Sequence, residues 1–314
     1  MSAQAGRARL AVLEDRGAVG VTGPDAVKFL QGLVTNDVEH LTTHPDDVAF
    51  EAATAHAALL SPQGKILFDF FCVRTLDGFV LDVARDKVAD LVKRLTMYKL
   101  RAAVEIRDVS DSYKLLALWG PNACSSGPTV GTVAFDDPRH PDLGKRILAE
   151  ARFATDIASA TNGFKVAEQD YHALRIALGV PEGGKDYDFG DAYPHEANFD
   201  LLNGVSFSKG CYVGQEVVAR MHNKTVVRKR VVKLTGAAPL TSGADVLLGD
   251  AVIGRIGCVD GVNALAMLRL DRAVEARDKA IVLTAAGVAV FPGQSAINRY
   301  LASAAARPAA PGIV

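Results

Sequence analysis

Between Ala11 and Ile106 short apolar runs and helical stripes follow one another in a single order, and that order restricts the folds open to the chain more than any other feature. Ala11 to Leu13 and Ala18 to Val21 read as strands separated by the turn-like Glu14-Asp15-Arg16-Gly17. Gly23-Pro24-Asp25 opens a helix, because proline suits the first turn and aspartate complements the dipole. Val27, Leu30 and Val34 continue it at helical spacing, and Thr35-Asn36-Asp37 ends it in a polar turn. Ala55 to Leu60 and Ile66 to Val73 flank Ser61-Pro62-Gln63-Gly64, which predicts a hairpin. Phe79 to Val83 is a strand, Val88, Leu91, Val92 and Leu95 form an amphipathic stripe, and Ala102 to Ile106 returns as a strand. This order is that of a split β-α-β unit: an α+β fold with helices on one face of an antiparallel sheet.

A weaker version of the same order follows: Tyr113 to Trp119, a helix start at Pro121, Val130 to Phe135, Arg146 to Ala149, then a helix on Ala167, Tyr171, Leu174 and Leu178. A duplicated unit is conceivable, although no residue-level repeat marks it. Pro181 to Asn203 is rich in glycine, tyrosine and acidic residues without periodicity, as functional loops often are. Beyond Arg230 the runs Val231 to Leu234, Asp245 to Leu248, Ala251 to Val259, Ala264 to Leu268 and Ala280 to Leu283 predict a small antiparallel barrel. A length of 314 residues exceeds one ordinary core and suggests about two domains. The segments themselves divide as 1–110, 111–230 and 231–302, with an alanine- and proline-rich tail at 303–314 expected to be disordered.

With 35 basic and 36 acidic side chains the net charge is −1, so stable nucleic-acid binding is not expected and any anion site must be local. The opening residues lack the apolar core of a signal peptide and no apolar run reaches membrane-spanning length, which predicts a cytoplasmic protein without membrane association. The four cysteines, Cys72, Cys124, Cys211 and Cys258, are widely spaced, which disfavours a zinc site or a self-contained cluster site. Cys72 and Cys258 sit in apolar strands and read as structural; Cys124 falls in an ordinary loop.

Cys211 differs. It lies in Lys209-Gly210-Cys211-Tyr212-Val213-Gly214-Gln215-Glu216, ahead of a predicted helix start at Gln215, with Glu216 near the positive end. A neighbouring lysine and a helix N-terminus both raise the thiolate fraction, the form that attacks electrophiles and binds metals. The alternative is a half-exposed loop cysteine whose glycines serve only the turn. Upstream, Asp69 is embedded in Leu67-Phe68-Asp69-Phe70-Phe71, where a carboxylate is costly unless paired, hydrogen-bonded or facing a pocket. His195 reads as a hydrogen-bonded loop residue, since no nucleophile or carboxylate partner is identifiable for it.

The Lys209 to Glu216 octapeptide with Arg220 resembles the signature of the YgfZ family, folate-binding proteins related to the aminomethyltransferase (T-protein) of the glycine cleavage system that assist iron-sulfur protein assembly or maintenance. The likeness extends to Phe29-Leu30-Gln31-Gly32, Thr35-Asn36-Asp37, Pro62-Gln63-Gly64-Lys65 and Asn203-Gly204-Val205-Ser206, covering residues 20 to 270 in colinear order. It implies a three-domain ring of two α/β sandwich-like units and a C-terminal antiparallel barrel, a tetrahydrofolate cofactor, and client or assembly proteins of iron-sulfur metabolism as partners. A pterin offers an amino group and a ring N–H that one carboxylate can accept together, and its flat ring wants apolar walls. Asp69, at the position of the folate-binding aspartate of the aminomethyltransferases, or Glu196 near Tyr193, would supply these. Asn36 is a further candidate contact, and Arg220, Lys224 or Arg228 would hold the glutamate tail.

These expectations converge on a folate-dependent accessory factor in which Cys211 is a reactive thiolate stabilised by Lys209. Cys211 would contact a cluster or iron transiently, form a mixed disulfide or accept a one-carbon adduct. Gly210 and Gly214 would admit a large partner, with Tyr212, Gln215 and Glu216 shaping the loop. Two alternatives stand beside it: a folate-dependent one-carbon transferase that needs no cysteine, and a scaffold that binds partner proteins without turnover.

Overall fold

A computed structural model describes residues 7–41, 53–123, 131–153, 157–161 and 163–306. The chain divides into two units: Met1–Pro62, Ile66–Leu174 and Leu202–Val213 form the first, and Gln63–Lys65, Arg175–Leu201 and Gly214–Val314 the second. Among the described residues no helix is long and apolar enough to cross a membrane.

In chain order the first unit contains β1 (Arg9–Val12), β2 (Arg16–Thr22), α1 (Ala26–Gln31), β3 (Thr54–Leu60), β4 (Ile66–Thr75), β5 (Gly78–Ala84), α2 (Val88–Lys99) and β6 (Glu105–Asp108). There follow β7 (Tyr113–Trp119), β8 (Thr132–Asp136), β9 (Lys145–Glu150), α3 (Ile157–Ala160), β10 (Phe164–Lys165) and α4 (Glu168–Leu178), whose last turn is counted with the second unit. One antiparallel sheet has the order β3-β4-β5-β2-β6; a second has the order β10-β1-β7-β9-β8, antiparallel except for the β1–β10 pair. Because strand side chains alternate, β4 sends Phe68, Phe70 and Cys72 into one core with Leu30 of α1 and Leu91 and Leu95 of α2. Its other face carries Asp69, Phe71 and Val73, and Phe71 and Val73 pack on Phe135 of β8. The predicted α+β arrangement is thus present, with the first sheet covered by helices on one face and joined to the second sheet on the other.

That joining face is unusually charged. Arg16 Nε meets Asp82 Oδ1 at 2.6 Å, and Arg146 Nη1 meets Asp82 Oδ2 at 2.5 Å. Arg139 holds Asp137 through two bonds of 2.9 and 2.8 Å, and both Arg139 and Arg146 reach the Tyr171 hydroxyl at 3.1 Å. All five charged side chains are buried. The guanidinium carbons of Arg139 and Arg146 lie 4.7 and 4.3 Å from the centre of the Phe71 ring, so each cation gains a π face as well as a carboxylate. Burial raises the Asp137 pKa, but the adjacent Arg139 and Arg146 more than offset this and hold its carboxyl well below the usual range.

The predicted helix after Asp25 ends sooner than its apolar spacing suggests. α1 stops at Gln31, and Val34 instead makes a bridge to Leu59 of β3. Pro121 and Asn122 form a turn, with Asn122 at φ 62°, and residues 124–130, with Cys124, lie outside the described residues.

The second unit is organised around α5 (Gln215–Lys224), β11 (Lys229–Gly236), β12 (Asp245–Leu248), β13 (Ala251–Asp260), β14 (Asn263–Arg269), α6 (Leu270–Asp278), β15 (Leu283–Ala285), β16 (Val288–Pro292) and α7 (Gln294–Ala306). Six strands close into an antiparallel barrel in the order β11-β14-β13-β12-β15-β16, which leaves it no free edge. Val232, Leu234, Val246, Ile256, Ala266 and Leu268 share its core with Leu270, Ala273 and Ala276 of α6 and Ile297 of α7. The expected strand at Ala280 to Leu283 is corrected: Ala280 turns at φ 53° after α6, and the strand begins at Leu283. The expected disordered tail is corrected at its start, since α7 runs on through Ala306; residues 307–314 lie outside the described residues.

Candidate functional site

In the first unit the loop that carries Cys211 is tied to the turn after α1. The Lys209 ammonium donates to the carbonyls of Gln31, Val34 and Asn36 at 2.8, 2.8 and 2.7 Å. Gln31 is the last residue of α1, where helix carbonyls lack intrahelical partners and carry the negative end of the dipole. Thr35 Oγ1 donates to Gly204 O at 2.7 Å, Asn36 Nδ2 to Asn203 O at 2.7 Å, and the Ser206 amide to Thr35 O at 3.0 Å. The same turn also serves β3: the Thr35 amide donates to Ala58 O, the Ala58 amide to Thr35 Oγ1 at 2.9 Å, and Asn36 Nδ2 to His56 O at 2.8 Å.

Cys211 itself is exposed. A side-chain carbon added at Gly210 would meet nothing within 4 Å, so neither packing nor backbone conformation demands glycine there. The Lys209 pKa is lowered to about 8 by burial, against the opposing pull of Asp37, Cys72 and Glu39. The Tyr212 ring lies 5.2 Å from the Lys209 Nζ, and burial pushes its hydroxyl up to about 12. Cys72 is fully buried, and desolvation raises its thiol to about 12 in spite of Lys209.

Asp69 is buried on the face of β4 that also presents Phe71, and β3 places His56 opposite Phe71 with ring centroids 5.4 Å apart. Burial, seconded by Arg139, lowers the His56 pKa to about 3, so its ring is neutral at physiological pH. Its Nδ1 lies 3.4 Å from Leu202 O. Asn36, a candidate folate contact from the sequence, has its amide donors directed at the carbonyls of His56 and Asn203, while Asn36 Oδ1 accepts the Asp37 amide at 2.9 Å.

In the second unit Tyr193 and Glu196 come together in one turn, with the Tyr193 amide donating to Glu196 Oε2 at 2.9 Å. Burial raises the Glu196 pKa, opposed by that bond and by Lys229 and Lys65. Lys65 lies over the Tyr193 ring at 3.7 Å. The predicted helix begins at Gln215 after Gly214, whose φ of 81° explains the second glycine of the motif; Glu216 lies in its first turn. Arg220 and Lys224 are exposed one helical turn apart on α5, and Arg228 is exposed beyond it. The His195 carbonyl accepts from Arg230 Nη1 at 2.5 Å, and the buried His195 ring lines a cavity of about 250 Å³ with Arg230 and His222. Cys258 accepts from Arg175 Nη2 at 2.8 Å, and burial pushes its thiol up to about 11. Thr35, His56, Asn203 and Ser206 are the contributors that sequence reasoning left unassigned. Three of them lie in motifs already noted, but hydrogen bonding between distant motifs leaves no periodic signal.

Two α+β sheets followed by a closed barrel define an aminomethyltransferase-type fold. The glycine cleavage system aminomethyltransferase T from Bartonella henselae aligns with a TM-score of 0.72, covering 91% of this chain and 84% of that one at 18% identity. Residues 7–126 match the GCVT N-terminal domain, and residues 228–296 match the CAF17 C-terminal beta-barrel domain. Among curated relatives, the mitochondrial iron-sulfur cluster assembly factor IBA57 of Mus musculus is 35% identical, covering 82% of this chain and 77% of that protein. The corresponding Homo sapiens protein is 31% identical, with 82% and 76% covered. The chain therefore belongs to the IBA57 family. It spans 60% of the length of the Mycosarcoma maydis homologue, to which it is 38% identical over 76% of its own length. These names also correct the cytoplasmic expectation: the relatives are mitochondrial proteins, and the lack of signal-like or membrane-spanning runs does not distinguish one reducing compartment from another.

Proposed function

We propose that this protein is a tetrahydrofolate-binding accessory factor for the assembly or repair of iron-sulfur proteins, acting through Cys211 on client or assembly partners. The assembly role is supported by membership of a family whose relatives are named iron-sulfur cluster assembly factors. The observation that carries the finer reading is the exposure of Cys211 on a loop whose flanking residues are fixed by hydrogen bonds. An exposed thiol can reach a partner's cluster, iron or disulfide, whereas Cys72 is sealed in a core.

The donor set of the first unit fits a pterin. Asp69 is a buried carboxylate able to accept the amino and ring N–H groups together, on a sheet face it shares with the His56 ring. Tetrahydrofolate, when bound, would supply a reduced pterin able to carry a one-carbon unit. Asp69 would orient it, and the neutral His56 ring would add no competing charge beside it.

Two measurements test the proposal. Tetrahydrofolate added anaerobically at a hundred times its Kd is expected to stabilise wild type and Cys211→Ala by about 2.7 kcal/mol, and Asp69→Asn much less. In cells lacking the protein, Cys211→Ala is expected to leave iron-sulfur enzyme activity unrestored. Full restoration by Cys211→Ala would overturn the thiol role, and methylene-tetrahydrofolate turnover indifferent to that substitution would assign a one-carbon transferase in its place.

A further inference from the structure

The lysine two residues before the cysteine invites a role as activator of the thiolate, yet its hydrogen bonds point elsewhere. A lysine ammonium has three N–H donors and no acceptor. In Lys209 they meet three carbonyls at 2.7–2.8 Å, from Gln31, Val34 and Asn36. These acceptors lie on the segment running from the end of α1 to the Thr35-Asn36 turn. Two of them could be matched by many donors; three converging on one point select a compact, pyramidal cation. A guanidinium is planar and spreads its donors along two edges, so it carries the charge without satisfying that geometry.

The other contacts between the two segments have the same sense. Thr35 Oγ1 to Gly204 O, Asn36 Nδ2 to Asn203 O, and the Ser206 amide to Thr35 O pin the loop from its beginning, and Lys209 pins it next to the cysteine. The Lys209 amide closes the loop internally on Ser206 Oγ at 3.2 Å. Thr35-Asn36-Asp37 and Asn203 to Lys209, separate motifs in the sequence, are therefore two halves of one clasp.

We propose that Lys209 is a positioning residue: with Thr35 and Asn36 it clasps the 203–209 loop to the end of α1, and thereby sets where Cys211 is presented to its partner. This inference rests on the reading of Cys211 as the working thiol. It assigns Lys209 no contact with the reacting atoms, and it makes geometry rather than charge the property selected at this position.

The test compares Lys209→Met and Lys209→Arg with wild type, using amide exchange, thiol titration and cellular function. In purified Lys209→Met and Lys209→Arg the peptide spanning 204–213 is expected to exchange at least tenfold faster, with exchange of the barrel strands unchanged. The pH midpoint for alkylation of Cys211 is expected to stay within about 0.3 pH units of wild type, well short of the one-unit spread that local environments impose on side chains. Iron-sulfur enzyme activity is expected to fall with both substitutions, and Lys209→Met combined with Cys211→Ala should be no worse than Cys211→Ala alone, since one residue acts through the other. Thr35→Val, which alters no charge, should also speed exchange of the loop. The proposal is overturned if Lys209→Arg functions fully, or if Lys209→Met moves the alkylation midpoint by a unit or more while leaving loop exchange unchanged. Exchange and titration need no client protein, so failure of the clasp is distinguishable from failure of the iron-sulfur reading, which Cys211→Ala alone decides.

Discussion

Replacing Asp137 with asparagine removes a carboxylate from a buried cluster in which Asp82 and Asp137 face the guanidiniums of Arg16, Arg139 and Arg146. Arg139 loses the charged partner of two bonds at 2.9 and 2.8 Å, and Arg146 Nε loses its contact at 3.4 Å. The new amide also directs N–H donors at donors. Removing one member of a buried pair costs about 3–5 kcal/mol, because the remaining charge cannot be rehydrated in place. Trp119 is the sole tryptophan and packs edge-on to Tyr171 at 5.7 Å; Tyr171 in turn touches Asp137, so its fluorescence reports unfolding of this unit directly. With a urea m value of about 2–3 kcal/mol/M, the midpoint should fall by about 1–2 M. The pH dependence has a definite sign. Because the folded carboxyl titrates below the unfolded one, its stabilisation is present above about pH 4 and is lost as pH falls through the folded value, so Asp137→Asn should lack that part of the acid limb. Adding Arg139→Met should recover part of the loss by removing a stranded charge. A loss below about 1 kcal/mol, the range of exposed ion pairs, would refute the reasoning.

His56, lowered to about 3 in the folded state, binds its proton first in the unfolded chain; stability should therefore drop between about pH 6.5 and pH 3 by up to about 1.4 kcal/mol per pH unit, and His56→Asn should flatten that slope in Trp119-monitored denaturation. Gly64 has φ +80°, and a β-carbon there would lie 2.9 Å from Val217 Cβ, so Gly64→Ala should cost about 1–3 kcal/mol in the melting of the second unit. Alkylation of native protein at pH 8, read by mass, should label Cys211 within minutes and Cys72 only after denaturant is added, given the burial of the latter and its thiol at about 12.

The first sheet was legible because its strands and helices alternate at clear periods: Phe68, Phe70 and Cys72 on one face and the Leu91 to Leu95 stripe opposite them require little else. The barrel strands up to Leu268 were legible for the same reason. α6 was not, because Leu270, Ala273 and Ala276 supply a narrow apolar stripe among charges that reads as a turn between strands. Val34 was placed in α1 because 3.6-residue spacing cannot report that β3 needs a partner for its edge. At the candidate site, residue types identified Cys211, Asp69 and Lys209 as unusual. Sequence proximity suggested that Lys209 serves Cys211 electrostatically, whereas its acceptors lie about 175 positions away in the chain, at Gln31, Val34 and Asn36.

β3 is an outer strand of its sheet, with the apolar sequence Thr-Ala-His-Ala-Ala-Leu-Leu and no neighbouring strand beyond it among the described residues. Thr35 and Asn36 take up the outward carbonyls of His56 and Ala58 and the Ala58 amide, which makes the turn a plug on a sticky edge. Opening the turn would offer that edge to a second molecule. Loss of the turn should therefore show itself first as concentration-dependent self-association of an otherwise folded protein, ahead of any fall in helix or strand content.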